Sequence, residues 1–117
     1  MGLVADGNRF MATINYDGEG GPYSGLEDVD GRNIVKNPKS HIGPVIPAGR
    51  RSTIVYTVRE KHIQVTCNGK TVVDWRGEPS RLTTQRWWNT ILKADGLYLG
   101  TLNCLYRIHS ATLVPLK

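Results

Sequence analysis

The Asn68-Gly69 pair, set between two β-rich runs, constrains this chain more than any other feature. A tight hairpin turn of the favoured kind needs positive φ at both central positions, and Asn-Gly supplies it. The flanking runs are HIQVTC at 62–67 and KTVVDW at 70–75, and a third, STIVYTVR at 52–59, precedes them across Glu60-Lys61. Read as two-residue turns, these connections fix a three-stranded antiparallel meander over residues 51–75. Cys67 then faces Lys70, Val65 faces Val72 and Ile63 faces Asp74, while Val58 faces Ile63 and Tyr56 faces Val65. One face collects Ile54, Tyr56, Val58, Ile63, Val65, Cys67 and Val72, an apolar set expected to be buried against a second sheet roughly 10 Å away. The other collects Thr57, Arg59, His62, Gln64, Thr66, Thr71 and Trp75, with Val55 and Val73 interleaved. A slip of one residue would bury the polar set, which favours this register. Asp74 is its awkward member. On the apolar face it needs the sheet's end, or an ion pair with Arg76 or Lys70, or a functional role as an acid with a raised pKa.

The rest of the chain reads as β structure interrupted by turns. Thirteen glycines and six prolines in 117 residues allow few long helices, and the length suits one domain over 1–117 with one core. Residues 9–17 alternate as a strand and stop at GEGG; 24–28 form a second, closed by Asp30-Gly31. Residues 32–49 hold no sustained period and read as a long surface loop with a short strand near 41–46. Residues 97–100 and 105–114 are the closing strands. The 76–96 stretch, with Trp87-Trp88, reads mostly as loop.

The formal charge of +5 raises nucleic acid as a partner, but the basic residues are dispersed and no helix concentrates them, so none is expected. No run of roughly 20 apolar residues exists to enter a membrane, and MGLVADGNRF has neither region of a signal peptide. Cys67 and Cys104 stand in no metal-like spacing, leaving a disulfide and two buried thiols equally open. His41, His62 and His109 come from separate segments, so no metal or other cofactor is expected.

The order TVR, I-x-V-x-x-NG, VVDWRGEPSRL, LYLGT and YRIHSATLVPL resembles concanavalin A-like lectin/glucanase domains. More narrowly, it is similar to bacterial modules, common in planctomycetes, related to the domain-of-unknown-function family called 3-keto-disaccharide hydrolase. The resemblance spans 23–116, and its most specific pieces are SGLEDVDG at 24–31 and NGKTVVDWRGEPSRL at 68–82. It implies an all-β antiparallel sandwich of the jelly-roll kind, an extracellular or periplasmic setting, and carbohydrate as the partner of the concave sheet. Domains of that family have further strands ahead of the point where this chain begins. An edge left open there is a template for association, so a homo-oligomeric partner is expected to complete or cover the sandwich.

Arg59, His62 and Trp75 fall in one cross-strand row, with Gln64 and Thr57 beside it. A flat aromatic to stack on a pyranose, among fixed donors and acceptors, is what sugar binding requires. The same face would equally serve as plain solvated surface, or Trp75 would be covered by the 87–88 pair. Glu27, Asp28 and Asp30 are the densest carboxylates, and Glu27 is counted with the candidate sugar contacts. Alternation sends Glu27 and Asp28 to opposite faces, which opposes a glycosidase pair, and Asp28 and Asp30 suit turn capping better. The leading expectation is a non-catalytic, lectin-like carbohydrate-binding module acting through this polar face and the flanking 32–49 and 78–89 loops. The alternatives are a glycoside hydrolase using Glu27, Asp28 and His62, and a protein-interaction or assembly domain using an open edge and Trp87-Trp88.

Overall fold

A computed structural model describes residues 1–86, 88, 96–102 and 104–116. Among the described residues it contains seven strands, β1 (Gly2–Ala5), β2 (Asn8–Tyr16), β3 (Tyr23–Glu27), β4 (His41–Ile42), β5 (Ile54–Arg59), β6 (His62–Cys67) and β7 (Lys70–Arg76), and a 3-10 turn at Pro79–Arg81. They form two antiparallel sheets, ordered β1-β2-β3-β4 and β5-β6-β7, each a meander of sequence neighbours. Phe10, Ala12 and Leu26 of the first sheet share one core cluster with Ile63, Val65, Val73 and Trp75 of the second, closed at one end by Val29 and Leu82. The architecture is β-sandwich-like and nearly all β.

Local sequence explains most of these elements. Asn68 and Gly69 adopt φ of 51° and 81°, the left-handed pair the turn requires, and Asn68 Oδ1 also accepts the Thr53 N–H at 2.9 Å. Asp6 and Gly7 repeat the device at φ of 44° and 73°, which creates β1. That strand lies outside the sequence-based expectation, although an Asp-Gly pair ahead of a β-rich run is a recognisable hairpin signal. The 32–49 loop is tied down by the short pairing of β4 with β3 and by side chains. Asn15, at φ of 54° beside a register shift in β2, accepts the Val45 N–H on Oδ1 at 2.7 Å and donates from Nδ2 to Ile46 O at 3.3 Å.

In the meander, β5 and β6 pair as the turn chemistry demands, with Tyr56 opposite Val65 and Val58 opposite Ile63. The β6–β7 pairing corrects the expected register. Cys67 does face Lys70, and Thr66 faces Thr71, but Val65 then faces Val73, Gln64 faces Asp74 and Ile63 faces Trp75. Val72 is an extra residue on β7. Such a bulge re-aims every side chain beyond it, because side chains along a strand alternate with period two. Val73 and Trp75 therefore turn into the core, each 5% exposed, while Asp74 and Arg76 turn outward. The awkward carboxylate is relieved in the same step. Of the residues expected inside, Ile63, Val65 and Cys67 are buried, whereas Ile54, Tyr56, Val58 and Val72 are half-buried.

The closing strands differ as well. Within 97–100 only Tyr98 bridges, to Gly2, and residues 105–114 form no strand among the described residues. Cys67 is a buried thiol and Cys104 an exposed one, and they are not joined.

Candidate functional site

Two stretches distant in sequence are laid side by side at the end of the sandwich. Val29 bridges to both Arg32 and Leu82, the Asp30 N–H donates to Arg81 O at 2.9 Å, and the Thr83 N–H donates to Asp28 O at 3.0 Å. Asp28 and Asp30 take left-handed φ of 56° and 53°, which short polar side chains tolerate, and so turn the chain after β3. This brings the Asp30 carboxylate to Arg81, fifty-one residues away. Arg81 donates from Nε to both carboxylate oxygens, at 2.9 and 3.1 Å, and from Nη2 to Oδ2 at 2.6 Å. The paired guanidinium holds the Asp30 carboxyl below its ordinary range and raises the pKa of Arg81 in turn.

The same guanidinium stands 5.7 Å from the centroid of the Trp75 ring, in cation–π range. Trp75 is thus packed into the core on one side and capped by Arg81 on another. An open groove of about 530 Å³ runs past this pair. Its walls supply four cations, Arg32, Lys39, Arg76 and Arg81, against two carboxylates, Asp30 and Asp74, with Asn37 and an edge of Trp75 between them. Lys39 is positioned from the backbone, where its N–H donates to Asn37 Oδ1 at 3.0 Å.

The residues singled out from sequence divide into three groups. Arg59, His62 and Gln64 do share the outward face of the meander, where Arg59 pairs with His62 and His62 with Arg76. His62 Nε2 lies 2.6 Å from Asp74 Oδ1, joining that face to the groove through one carboxylate. Trp75 does not stand on that face: the extra residue in β7 rotates it to the opposite, core side. Glu27 is on the other sheet, 8% exposed, where Oε2 accepts the Ile34 N–H at 3.1 Å. Burial outweighs that hydrogen bond and raises its pKa, with a smaller contribution from the charge of Asp28. The Asp28 pKa is also raised by burial, against a hydrogen bond from Gln85.

Arg32, Lys39, Arg76 and Arg81 were not among the sequence candidates. Arg76 and Arg81 belong to the stretch 68–82, which meets Asp30 of the stretch 24–31 across the groove, whereas Arg32 and Lys39 come from the 32–49 loop. Of the flanking 78–89 loop, Trp88 is half-buried with its ring centroid 6.2 Å from that of Tyr98, whereas Trp87 and Asn89 lie outside the described residues. Among the described residues, no three His, Cys, Asp or Glu side chains are grouped to hold a metal ion. No protein-family model, curated protein or solved structure matches this chain.

Proposed function

We propose that this chain is a non-catalytic carbohydrate-binding module of concanavalin A-like, jelly-roll descent, taking its saccharide in the groove beside β7 rather than on the open face of the meander. The observation that carries this reading is the Arg81–Trp75 stack framed by Arg32, Lys39, Arg76, Asp30 and Asp74, a concave site with an aromatic edge and fixed charged donors and acceptors. Four cations against two carboxylates favour a saccharide carrying carboxylate or sulfate groups over a neutral one.

The hydrolytic alternative is weaker on the same geometry. Asp30 and Asp74 both reach the groove, but Asp30 is held ionised by Arg81 and Asp74 Oδ1 lies 2.6 Å from His62 Nε2, so neither carboxyl stands free beside the groove. Glu27, which holds a proton more firmly, is buried against Ile34 and is not among the groove-lining residues.

Titration calorimetry with oligogalacturonate, a sulfated oligosaccharide and a neutral oligomer is expected to show binding of an acidic ligand that weakens as salt rises. Arg76→Ala and Arg32→Ala should each weaken it by roughly tenfold or more, the loss of one charge-assisted hydrogen bond. Silence towards all three ligands, or binding indifferent to both substitutions, would sink the proposal.

A further inference from the structure

We infer that His62, which does not line the groove, sets the charge the groove presents through Asp74, so that an acidic ligand binds more tightly as pH falls through the range where histidine titrates. This rests on the reading of the groove as a site for an acidic saccharide.

The link is one carboxylate oxygen. Asp74 lines the groove beside Arg76, and its Oδ1 lies 2.6 Å from His62 Nε2 and 3.9 Å from Arg76 Nε. The three side chains are graded from cover to solvent, 19% exposed for His62, 49% for Asp74 and 71% for Arg76. One carboxylate is therefore shared between a titratable ring set back on the meander face and an arginine at the groove.

Histidine is the side chain whose charge changes between roughly pH 5 and 8. A neutral ring that donates from Nε2 leaves Asp74 its full negative charge, which offsets Arg76 where an acidic ligand would meet it. A protonated ring keeps the same contact and neutralises Asp74 itself. Asp30, the other carboxylate of the groove, is held ionised by Arg81 in either case. Protonating His62 therefore makes the surroundings of the ligand more positive by one charge, and Arg76 is released to the ligand.

The other charged groups around His62 do not duplicate this role. Arg59 on β5 and Arg76 on β7 stand directly opposite it, so among the described residues Asp74 is the carboxylate that meets the charge of a protonated ring. Lys61, next to it in the chain, is paired with Glu78 at 2.6 Å and also feels Glu60. The first sheet packs on the opposite, apolar face of the meander. Burial raises the pKa of Glu27 and of Asp28, but neither lines the groove.

Calorimetry with the sulfated oligosaccharide at about pH 5 and about pH 8, at constant ionic strength, tests the inference across the histidine range. Sulfate esters stay ionised at both, so the ligand adds no titration of its own. The parent should bind at least about threefold more tightly at the lower pH, the scale of one added charge several ångströms away in a solvated groove. His62→Gln keeps a donor within reach of Asp74 but carries no charge at either pH, and should bind equally at both. Asp74→Asn should also lose the pH dependence, and at the higher pH should bind more tightly than the parent, which a purely structural role for either residue would not give. Equal binding at both pH values in the parent, a slope that survives His62→Gln, or weaker binding by Asp74→Asn at the higher pH overturns the inference and leaves the groove reading standing. No binding at either pH overturns both.

Discussion

Replacing Trp75 by alanine is expected to destabilise the fold by about 3–5 kcal/mol, the range for deleting a buried large aromatic. An aromatic on the outward face of an edge strand would instead cost about 0.5 kcal/mol or less. The difference rests on the extra residue in β7, which puts Trp75 opposite Ile63 and inside the core cluster. Removing the ring also strips Arg81 of the surface it stacks on, so the damage extends into the groove. Urea denaturation measures the effect directly, and a loss below about 1 kcal/mol would restore the unbulged register. Trp75→Phe, which keeps most of the apolar volume, is the variant in which ligand binding can still be read.

Glu27→Ala is expected to cost about 1–3 kcal/mol, because it leaves the buried Ile34 N–H without its acceptor. Glu27→Gln keeps an acceptor oxygen and exposes a second effect. The folded pKa of Glu27 lies above its unfolded value of 4.5, so the folded state binds the proton more tightly than the unfolded state does. The stability this contributes is fully present below pH 4.5 and is lost as pH rises through the folded pKa. Glutamine has no proton to lose. The stability of the parent relative to Glu27→Gln should therefore fall as pH rises across that window, by urea denaturation at matched ionic strength. A difference that is flat with pH, or that grows as pH rises, would contradict this account of the buried carboxyl.

The parts of the fold legible in the sequence are those set by local chemistry. Asn68-Gly69 dictates its own turn and the pairing of Cys67 with Lys70, and alternation places β2 and the inward face of β6. What escapes is decided by tertiary contacts. Val72 and Val73 are equally good strand formers, so nothing local says that one of them is surplus, yet that choice moves Trp75 from surface to core and Asp74 from core to surface. The candidate site failed at the same residue: Arg59, His62 and Gln64, placed by the intact β5–β6 register, stand where expected, and Trp75 does not. Arg32 and Lys39 sit in a loop without periodicity, and Arg81 meets Asp30 only after the chain has folded back across fifty-one positions. The arm at 105–114 has a strand's pattern but finds no strand partner within the described residues, since pattern predicts a buried face and not who covers it.

Both readings of the outward surface, the groove beside β7 and the face of the meander, make opposite claims about where a ligand touches. The most direct test is an amide and indole chemical-shift map recorded while an acidic oligosaccharide is titrated into the full chain. Binding in the groove predicts shifts concentrated at the Trp75 indole N–H and at the amides of Asp30, Arg32, Lys39 and Arg76, with Val55 and Thr57 on β5 unmoved. Shifts centred on Arg59 and Gln64 with a silent Trp75 indole, or none at saturating ligand, would contradict it.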